Sequence, residues 1–205
     1  MIENSIEFKG AVEWFGENPS IVLKSGPDGP IVTIGHFFRV LSSPHGAGIV
    51  AIVMQAPTPG ANDDPESNVC LTDNRPLAEY IIKNYAAKFG SFRGTDVETR
   101  LTFKEITSAT VRNAAPKEYA EIIEADGTRV EFVWKGMLEP FAAAYPPPDS
   151  GIPGQLMVST YVPTTDGVLL VNGKQCVGEL FEKETLGHKH TSAELAFAET
   201  WVRVS

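Results

Sequence analysis

Through most of its length the chain alternates apolar and polar residues with a period of two. Glycine, proline, asparagine and aspartate interrupt this alternation at short intervals. The pattern is typical of antiparallel strands joined by tight turns. Hairpin turns are predicted at Asp126-Gly127, Asp166-Gly167 and Asn172-Gly173. The predicted strands are residues 6–15, 20–24, 31–41, 48–55, 101–113, 118–125, 128–138, 155–162, 168–171, 174–183 and 190–204.

One segment breaks this pattern and predicts an amphipathic helix over residues 76–89. Pro76 suits the first turn, Asn74 or Asp73 can cap the free N–H groups, and Gly90 suits the position after the last turn. Apolar residues recur every three or four positions and form one stripe, which must cover an end or a face of the sheet. The stripe consists of Leu77, Tyr80, Ile81, Tyr85 and Phe89.

These elements predict a mainly β fold in a single domain, residues 1–205. The favoured architecture is a closed or nearly closed antiparallel β-barrel, calycin-like or similar, with one central amphipathic helix, and a two-sheet sandwich is the alternative. Residues 56–68 predict a mobile surface loop in which Asp63, Asp64 and Glu66 are solvated. Residues 139–154, which include three prolines from Pro146 to Pro148, predict a stiff crossing loop that serves as a lid or an interface arm.

Charge and composition exclude several classes of partner. The 205 residues include 17 Lys and Arg against 26 Asp and Glu, a net charge of −9. Nucleic acids and anionic membranes are bound through clustered cations, and the chain has no such cluster. No stretch approaches the roughly 20 apolar residues that span a bilayer, and the first residues do not resemble a secretory signal, so a cytoplasmic location is expected. Cys70 and Cys176 are therefore expected to be reduced, with Cys176 in a strand.

Standard catalytic signatures are missing. The segment from Gly167 to Lys174 lacks the hydroxyl residue of a P-loop, because Gln175 follows the lysine. In 90–94 (GSFRG), phenylalanine stands where a nucleophile elbow needs its attacking residue. Neither a dinucleotide-binding glycine motif nor a His-Glu-x-x-His motif occurs.

The most suggestive local pattern is the run His188, His190, Ser192 and Glu194. If this run is extended, all four side chains project from one face within about 20 Å of strand. Imidazole and carboxylate ligands suit zinc, iron or manganese, so His188, His190 and Glu194 are candidate metal ligands. A solvated strand start and the wall of a ligand cavity are the alternatives. Beyond Glu194 the alternation puts bulky residues on one face (Leu195, Phe197, Trp201) and small ones on the other (Ala196, Ala198, Val202).

The spacing His188-x-His190-x-x-x-Glu194 resembles the first metal motif of the cupin family over seven residues. The surrounding positions depart from that family. Glu182 and Trp201 stand where the motif has glycines, and the fifteen residues after His190 leave no room for the later histidine motif. The chain is therefore not assigned to the cupins.

Two further residues are candidate ligand contacts. His36 shares an otherwise apolar strand face, where it is either a core histidine with one hydrogen bond or a residue that points into a ligand cavity. Arg93 lies near the predicted helix end, where it contacts either solvent or an anionic ligand.

Three functions remain open. The leading hypothesis is an intracellular barrel that binds a small, largely apolar molecule in its interior or mouth. The second is an enzyme without a standard motif, in which His188, His190 and Glu194, with His36, act as metal ligands or acid–base groups. The third is a homodimeric interaction scaffold with the proline-rich segment 145–149 at its interface.

Overall fold

The computed structural model describes residues 7–55 and 68–204. The acidic loop predicted over 56–68 therefore lies outside the described residues, apart from Asn68. The strands in the described ranges are β1 (Ala11–Glu17), β2 (Ser20–Lys24), β3 (Ile31–Ser42), β4 (Gly48–Gln55), β5 (Asn68–Thr72), β6 (Thr102–Ala114), β7 (Glu118–Ala125), β8 (Thr128–Met137), β9 (Phe141–Tyr145), β10 (Gln155–Val171), β11 (Lys174–Gln175), β12 (Glu182–Thr185), β13 (His188–Thr191) and β14 (Ala193–Arg203).

Over the described ranges, nine strands close into a barrel in the order β2-β3-β4-β5-β6-β7-β8-β10-β14, with β14 pairing β2 again. All these neighbours are antiparallel except β5 and β6, which run parallel. The predicted purely antiparallel barrel is therefore corrected to a mixed one. The reason lies in the connection: an antiparallel neighbour needs only a hairpin, whereas the chain between β5 and β6 carries a helical segment that returns it to the same end of the barrel.

The barrel interior is filled by side chains. Every one of its nine strands contributes an apolar residue to one cluster, including Ile21, Phe37, Phe132, Trp134 and Leu195. Along β8, Thr128, Val130, Phe132 and Trp134 share one face and are buried, as is Val133 from the other face. A closed sheet of this size leaves an interior that side chains can fill.

A second apolar cluster lies on the outer wall of the barrel. There the helix α1 (Arg75–Asn84) buries Leu77, Ala78, Ile81 and Ile82 against residues of β3 and β4. The helical segment continues as a short 3-10 turn over Ala86–Lys88 and a four-residue helix α2 (Val97–Arg100). The predicted helix thus exists and covers a sheet face. Over the described ranges, none of these helices has the length and apolar character needed to cross a bilayer.

The ends of α1 confirm one predicted cap and correct the other. The side chain of Asn74 accepts a hydrogen bond from the Leu77 N–H, as an N-cap does. The α-helix ends at Asn84 instead of residue 89, because Tyr85 leaves the helical conformation and the chain tightens into the 3-10 turn. Gly90 is therefore not its left-handed cap.

One predicted turn, one predicted loop and one predicted strand position are corrected. β10 runs unbroken through Asp166-Gly167, which pair with β8 instead of forming a hairpin. A Cβ at Gly167 would lie 2.6 Å from that of Ala193, so this glycine permits close packing of two strands. Part of the predicted crossing loop is strand β9, which pairs β10. Cys176 follows the short β11 instead of lying within a strand.

Candidate functional site

A cavity of about 370 Å³ lies on the outer wall of the barrel, at one end of the helical segment. It is lined by alternate residues of β2, β3 and β14 whose neighbours in sequence fill the barrel interior. Ser20, His36 and Glu194 face the cavity, whereas Ile21, Phe37 and Leu195 face the interior. The turn Phe89–Ser91 and Phe181, near β12, close its sides. The candidate site is therefore outside the barrel.

A chain of hydrogen-bonded polar side chains forms one wall of this cavity. Ser91 Oγ lies 3.2 Å from His36 Nε2, and His36 Nδ1 lies 3.1 Å from Asn18 Oδ1. Asn18 Nδ2 then donates to Glu199 Oε1 at 3.1 Å, and Trp201 Nε1 donates to the same oxygen at 2.7 Å. Five residues from four separate parts of the sequence thus form one continuous polar relay.

The donor and the acceptor of each hydrogen bond in the relay can be assigned by starting from the Glu199 carboxylate. Because the Asn18 amide donates its N–H to the Glu199 carboxylate, its oxygen faces His36. A carbonyl oxygen only accepts, so His36 Nδ1 carries the proton and donates it to Asn18. Nε2 of the neutral ring is then an acceptor, and the Ser91 hydroxyl donates to it. The relay therefore fixes the imidazole in one tautomer and directs its lone pair at a serine hydroxyl.

Burial shifts the pKa values of both ionisable members of the relay. Burial, with a further contribution from the positive charge of Lys183, lowers the pKa of His36 to about 3. Burial raises the pKa of Glu199 to about 7, although the hydrogen bonds from Trp201 and Asn18 favour its ionised form and partly offset that rise. The negative charge of Glu194 raises it further. His36 is therefore neutral at physiological pH, and Glu199 changes charge near it.

A β-bulge places Glu199 and Trp201 at the cavity. Ala198 has a φ of 50°, and the pairing of β14 with β10 shifts there from Phe197–Thr160 to Thr200–Val158. The extra residue inverts the alternation, so that Trp201 joins the outer cluster while Leu195 and Phe197 belong with the interior. The expectation that Trp201 shares a face with Leu195 is therefore wrong.

Much of the remaining lining of the cavity is apolar and closely packed. The rings of Phe89 and Trp201 stack at 6.0 Å, and both line the cavity. Phe92 lies beneath the relay, with its ring centre 5.1 Å from that of His36. Met157 and Tyr161 of β10 complete the apolar side. An apolar molecule in this cavity would meet side chains already held in place.

Of the residues predicted from sequence, the structure brings His36 and Glu194 to this cavity. Glu194 Oε1 lies 2.9 Å from Lys183 Nζ, which also lines it. His190 is a neighbour: its Nε2 lies 3.6 Å from Glu194 Oε2. Its ring lines a second cavity of about 490 Å³. Lys183 lines both cavities.

The other predicted residues lie elsewhere. His188 is exposed and stacks on Phe141 at 4.0 Å, and Arg93 is exposed, with its guanidinium donating to the Lys88 carbonyl. Both ring nitrogens of His190 have protein partners, since Nε2 lies 2.9 Å from Thr185 Oγ1 and Nδ1 donates to the Thr191 carbonyl. Within 7–55 and 68–204, no group of three His, Cys, Asp or Glu side chains is arranged to hold a metal ion. The metal role of His188, His190 and Glu194 stays a prediction.

Sequence reasoning missed four residues of the site: Asn18, Ser91, Lys183 and Glu199. Ser91 belongs to the 90–94 segment, but it stands one position before the place where a nucleophile elbow has its attacking residue. Glu199 is assigned to the wrong face by strict alternation. The sequence gives no signal for Glu199, because the bulge at Ala198 cannot be seen in the alternation of residues.

Comparison of the chain with protein families, with curated proteins and with solved structures finds no match.

Proposed function

We propose that the protein binds a small, largely apolar molecule with one polar group in the outer-wall cavity. The observation that supports this function is the combination, in one cavity of about 370 Å³, of stacked aromatic walls with a single hydrogen-bonded polar relay. Sites for small molecules are typically concave, mostly apolar and furnished with a few fixed polar groups. This proposal keeps the class of ligand predicted from sequence and moves its site from the barrel interior to the outer wall.

The walls favour a ligand with an apolar body. Phe89, Trp201, Met157, Tyr161 and Phe181 surround the space. Burial of apolar ligand surface against such residues contributes roughly 25 cal/mol per Å². Because the aromatic rings already stack on one another, little side-chain entropy is lost when a ligand binds.

The polar wall favours a ligand with a group that hydrogen bonds at one end. The Ser91 hydroxyl uses its proton on His36 and keeps its oxygen lone pairs for a donor, and the Lys183 ammonium, which also lines the cavity, supplies donors. Glu194 neutralises much of the lysine charge at 2.9 Å, so a fully charged ligand is not required. A neutral polar group, such as a carbonyl or a hydroxyl, is the best match.

The test is direct binding of the neutral fluorescent probe N-phenyl-1-naphthylamine, whose emission rises in apolar sites. Ala196 is buried and lines the cavity, so Ala196→Phe fills the space and should weaken binding at least tenfold. The matched control, Val111→Phe, adds a similar apolar surface at an exposed position of β6 and should leave binding unchanged. Equal binding by the wild type and Ala196→Phe would show that the probe binds elsewhere and would exclude this cavity.

A further inference from the structure

The Ser91 hydroxyl differs from an ordinary surface serine in what it contacts. Its partner is an imidazole that is 7% exposed and is itself held by a buried amide. Hydrogen bonds between backbone groups of residues 89, 92, 93 and 95 tie the turn that carries it. Ser91 is half-buried and lines the cavity, so it lies at the end of the relay that a bound molecule would reach.

From this geometry we propose that Ser91 is a nucleophile that attacks the carbonyl of activated carboxylic esters bound in the cavity, with His36 as its general base. The proposal rests on the proposed function, because the ester must first occupy that cavity. A nucleophile within hydrogen-bond reach of a base, which a third group orients, is the arrangement shared by enzymes that form acyl intermediates. Asn18 is the third group and acts as a positioning residue, since it contacts His36 and holds its tautomer.

The reaction balances with water as the second reactant. Ser91 Oγ forms a bond to the carbonyl carbon as its proton moves to His36 Nε2. The bond from that carbon to the leaving oxygen then breaks, and the leaving alcohol takes the proton from His36. A water molecule next gives a proton to Nε2 and its oxygen to the carbonyl carbon, and Ser91 leaves with that proton. Ester and water become carboxylic acid and alcohol, and the enzyme is regenerated.

The environment of His36 selects the kind of ester. Burial among aromatic rings keeps the imidazole neutral, so its Nε2 lone pair is always available. The same burial, with the Lys183 charge, lowers its pKa to about 3 and makes it a weak proton acceptor. Attack therefore needs an acyl group with a good leaving group, such as an aryl ester, and amides are not expected as substrates. Lys183 lines the same cavity, and although Glu194 at 2.9 Å neutralises much of its charge, its ammonium keeps N–H donors for the carbonyl oxygen as that oxygen becomes anionic.

The experiment uses the full chain and two probes. A fluorophosphonate reagent, which transfers a phosphonyl group to activated serine hydroxyls with loss of fluoride, is followed by intact mass and peptide mapping. Hydrolysis of 4-nitrophenyl butyrate is followed by absorbance. The variants are Ser91→Ala, His36→Gln and, as the matched control, Ser108→Ala. Ser108 is an exposed serine of β6 whose hydroxyl contacts a carboxylate, Glu124, instead of an imidazole.

We expect one phosphonyl group on Ser91, and a fall in hydrolysis of about 10²-fold or more in Ser91→Ala, with less than a twofold change in Ser108→Ala. Labelling of Ser91 should also fall in His36→Gln. Peptide mapping of the wild type does not depend on whether a variant folds. The proposal is overturned if the wild type is not labelled, or is labelled only at residues other than Ser91. It is also overturned if Ser91→Ala hydrolyses the ester as fast as the wild type. If N-phenyl-1-naphthylamine still binds in those cases, the nucleophile is refuted while the binding function stands.

Discussion

The substitution Glu199→Gln isolates the charge of one buried carboxylate. Glu199 is 3% exposed and accepts hydrogen bonds from Asn18 and Trp201 on the same oxygen. Glutamine keeps the size of the side chain and a carbonyl oxygen that can accept both bonds. What it removes is the ability to ionise, so any change in pH dependence reports on that ionisation alone.

The sign and size of the effect follow from the pKa. Burial raises the pKa of Glu199 from 4.5 to about 7, so the folded state holds the proton more tightly than the unfolded state. The stability that this proton contributes is fully present below about pH 4.5 and is lost as the pH rises through 7. A pKa change of this size corresponds to about 3 kcal/mol. Glu199→Gln should therefore gain about 3 kcal/mol relative to the wild type between about pH 4.5 and pH 8.5.

The assay is urea denaturation of both proteins across that pH range, with the difference in the free energy of unfolding plotted against pH. His36 does not disturb the comparison. Its pKa in the folded state is about 3, and its titration in the unfolded state is common to both proteins. Glu79→Gln is the matched control at a helix position where the side chain is 58% exposed, and it should change the difference by less than about 0.5 kcal/mol. A difference for Glu199→Gln that does not vary with pH, or that falls as pH rises, would refute the reasoning.

Three further predictions test the fold by denaturant midpoints. Asn74→Ala removes the N-cap of α1 and two further hydrogen bonds, so it should cost about 1–2 kcal/mol. An unchanged midpoint would contradict the cap. Gly35→Ala would put a methyl group 2.7 and 2.9 Å from two side chains inside the barrel and should cost about 1–3 kcal/mol, whereas Gly26→Ala meets nothing within 4 Å and should be close to neutral. Equal effects would argue against a filled interior. Arg39→Ala leaves the fully buried Glu121 without its cation at 2.7 Å and should cost about 3 kcal/mol, and adding Glu121→Gln should recover most of that loss. No recovery in the double variant would show that the cost comes from lost packing.

Local chemistry predicted much of the secondary structure. The strands 20–24, 48–55 and 118–125 have the bounds expected from alternation, and Asp126-Gly127 and Asn172-Gly173 form the predicted turns. One failed prediction concerns a position whose conformation is set by contact with a distant strand. Asp166-Gly167 resembles a hairpin turn in sequence, but the glycine is there because Ala193 of β14 packs against it. Short-range pattern cannot distinguish these two uses of glycine.

The candidate site shows the same difference between residues that the local sequence pattern identifies and residues that only distant contacts bring into place. His36 carried a signal because it interrupts an apolar strand face, and Glu194 carried one because it ends the polar run that begins at His188. Asn18 and Ser91 carried none, since polar residues in connecting segments are ordinary. Glu199 was hidden by the bulge at Ala198, which changes the face of every residue after it. The relay has no motif because its members lie far apart in sequence.

The homodimeric scaffold, the cytoplasmic location and the metal role of the C-terminal histidines stay predictions. Each is open to a separate measurement: light scattering on a deletion of residues 145–149, localisation of a tagged chain, and metal analysis of the purified protein with and without His188→Ala.

The order of apolar and polar residues was sufficient to specify a mainly β chain with one amphipathic helix, because pleat and helix periods act over a few neighbouring residues. Three features depend on the tertiary structure of the whole chain. They are the closure of nine strands into a barrel, the parallel pairing of β5 with β6, and the position of the cavity on the outer wall. Those features arise from strand pairings and side-chain contacts across long separations, such as the Trp134 indole that donates to the Ser20 carbonyl. The relay from Ser91 to Glu199 belongs to this second group, since folding alone brings its members within hydrogen-bond distance.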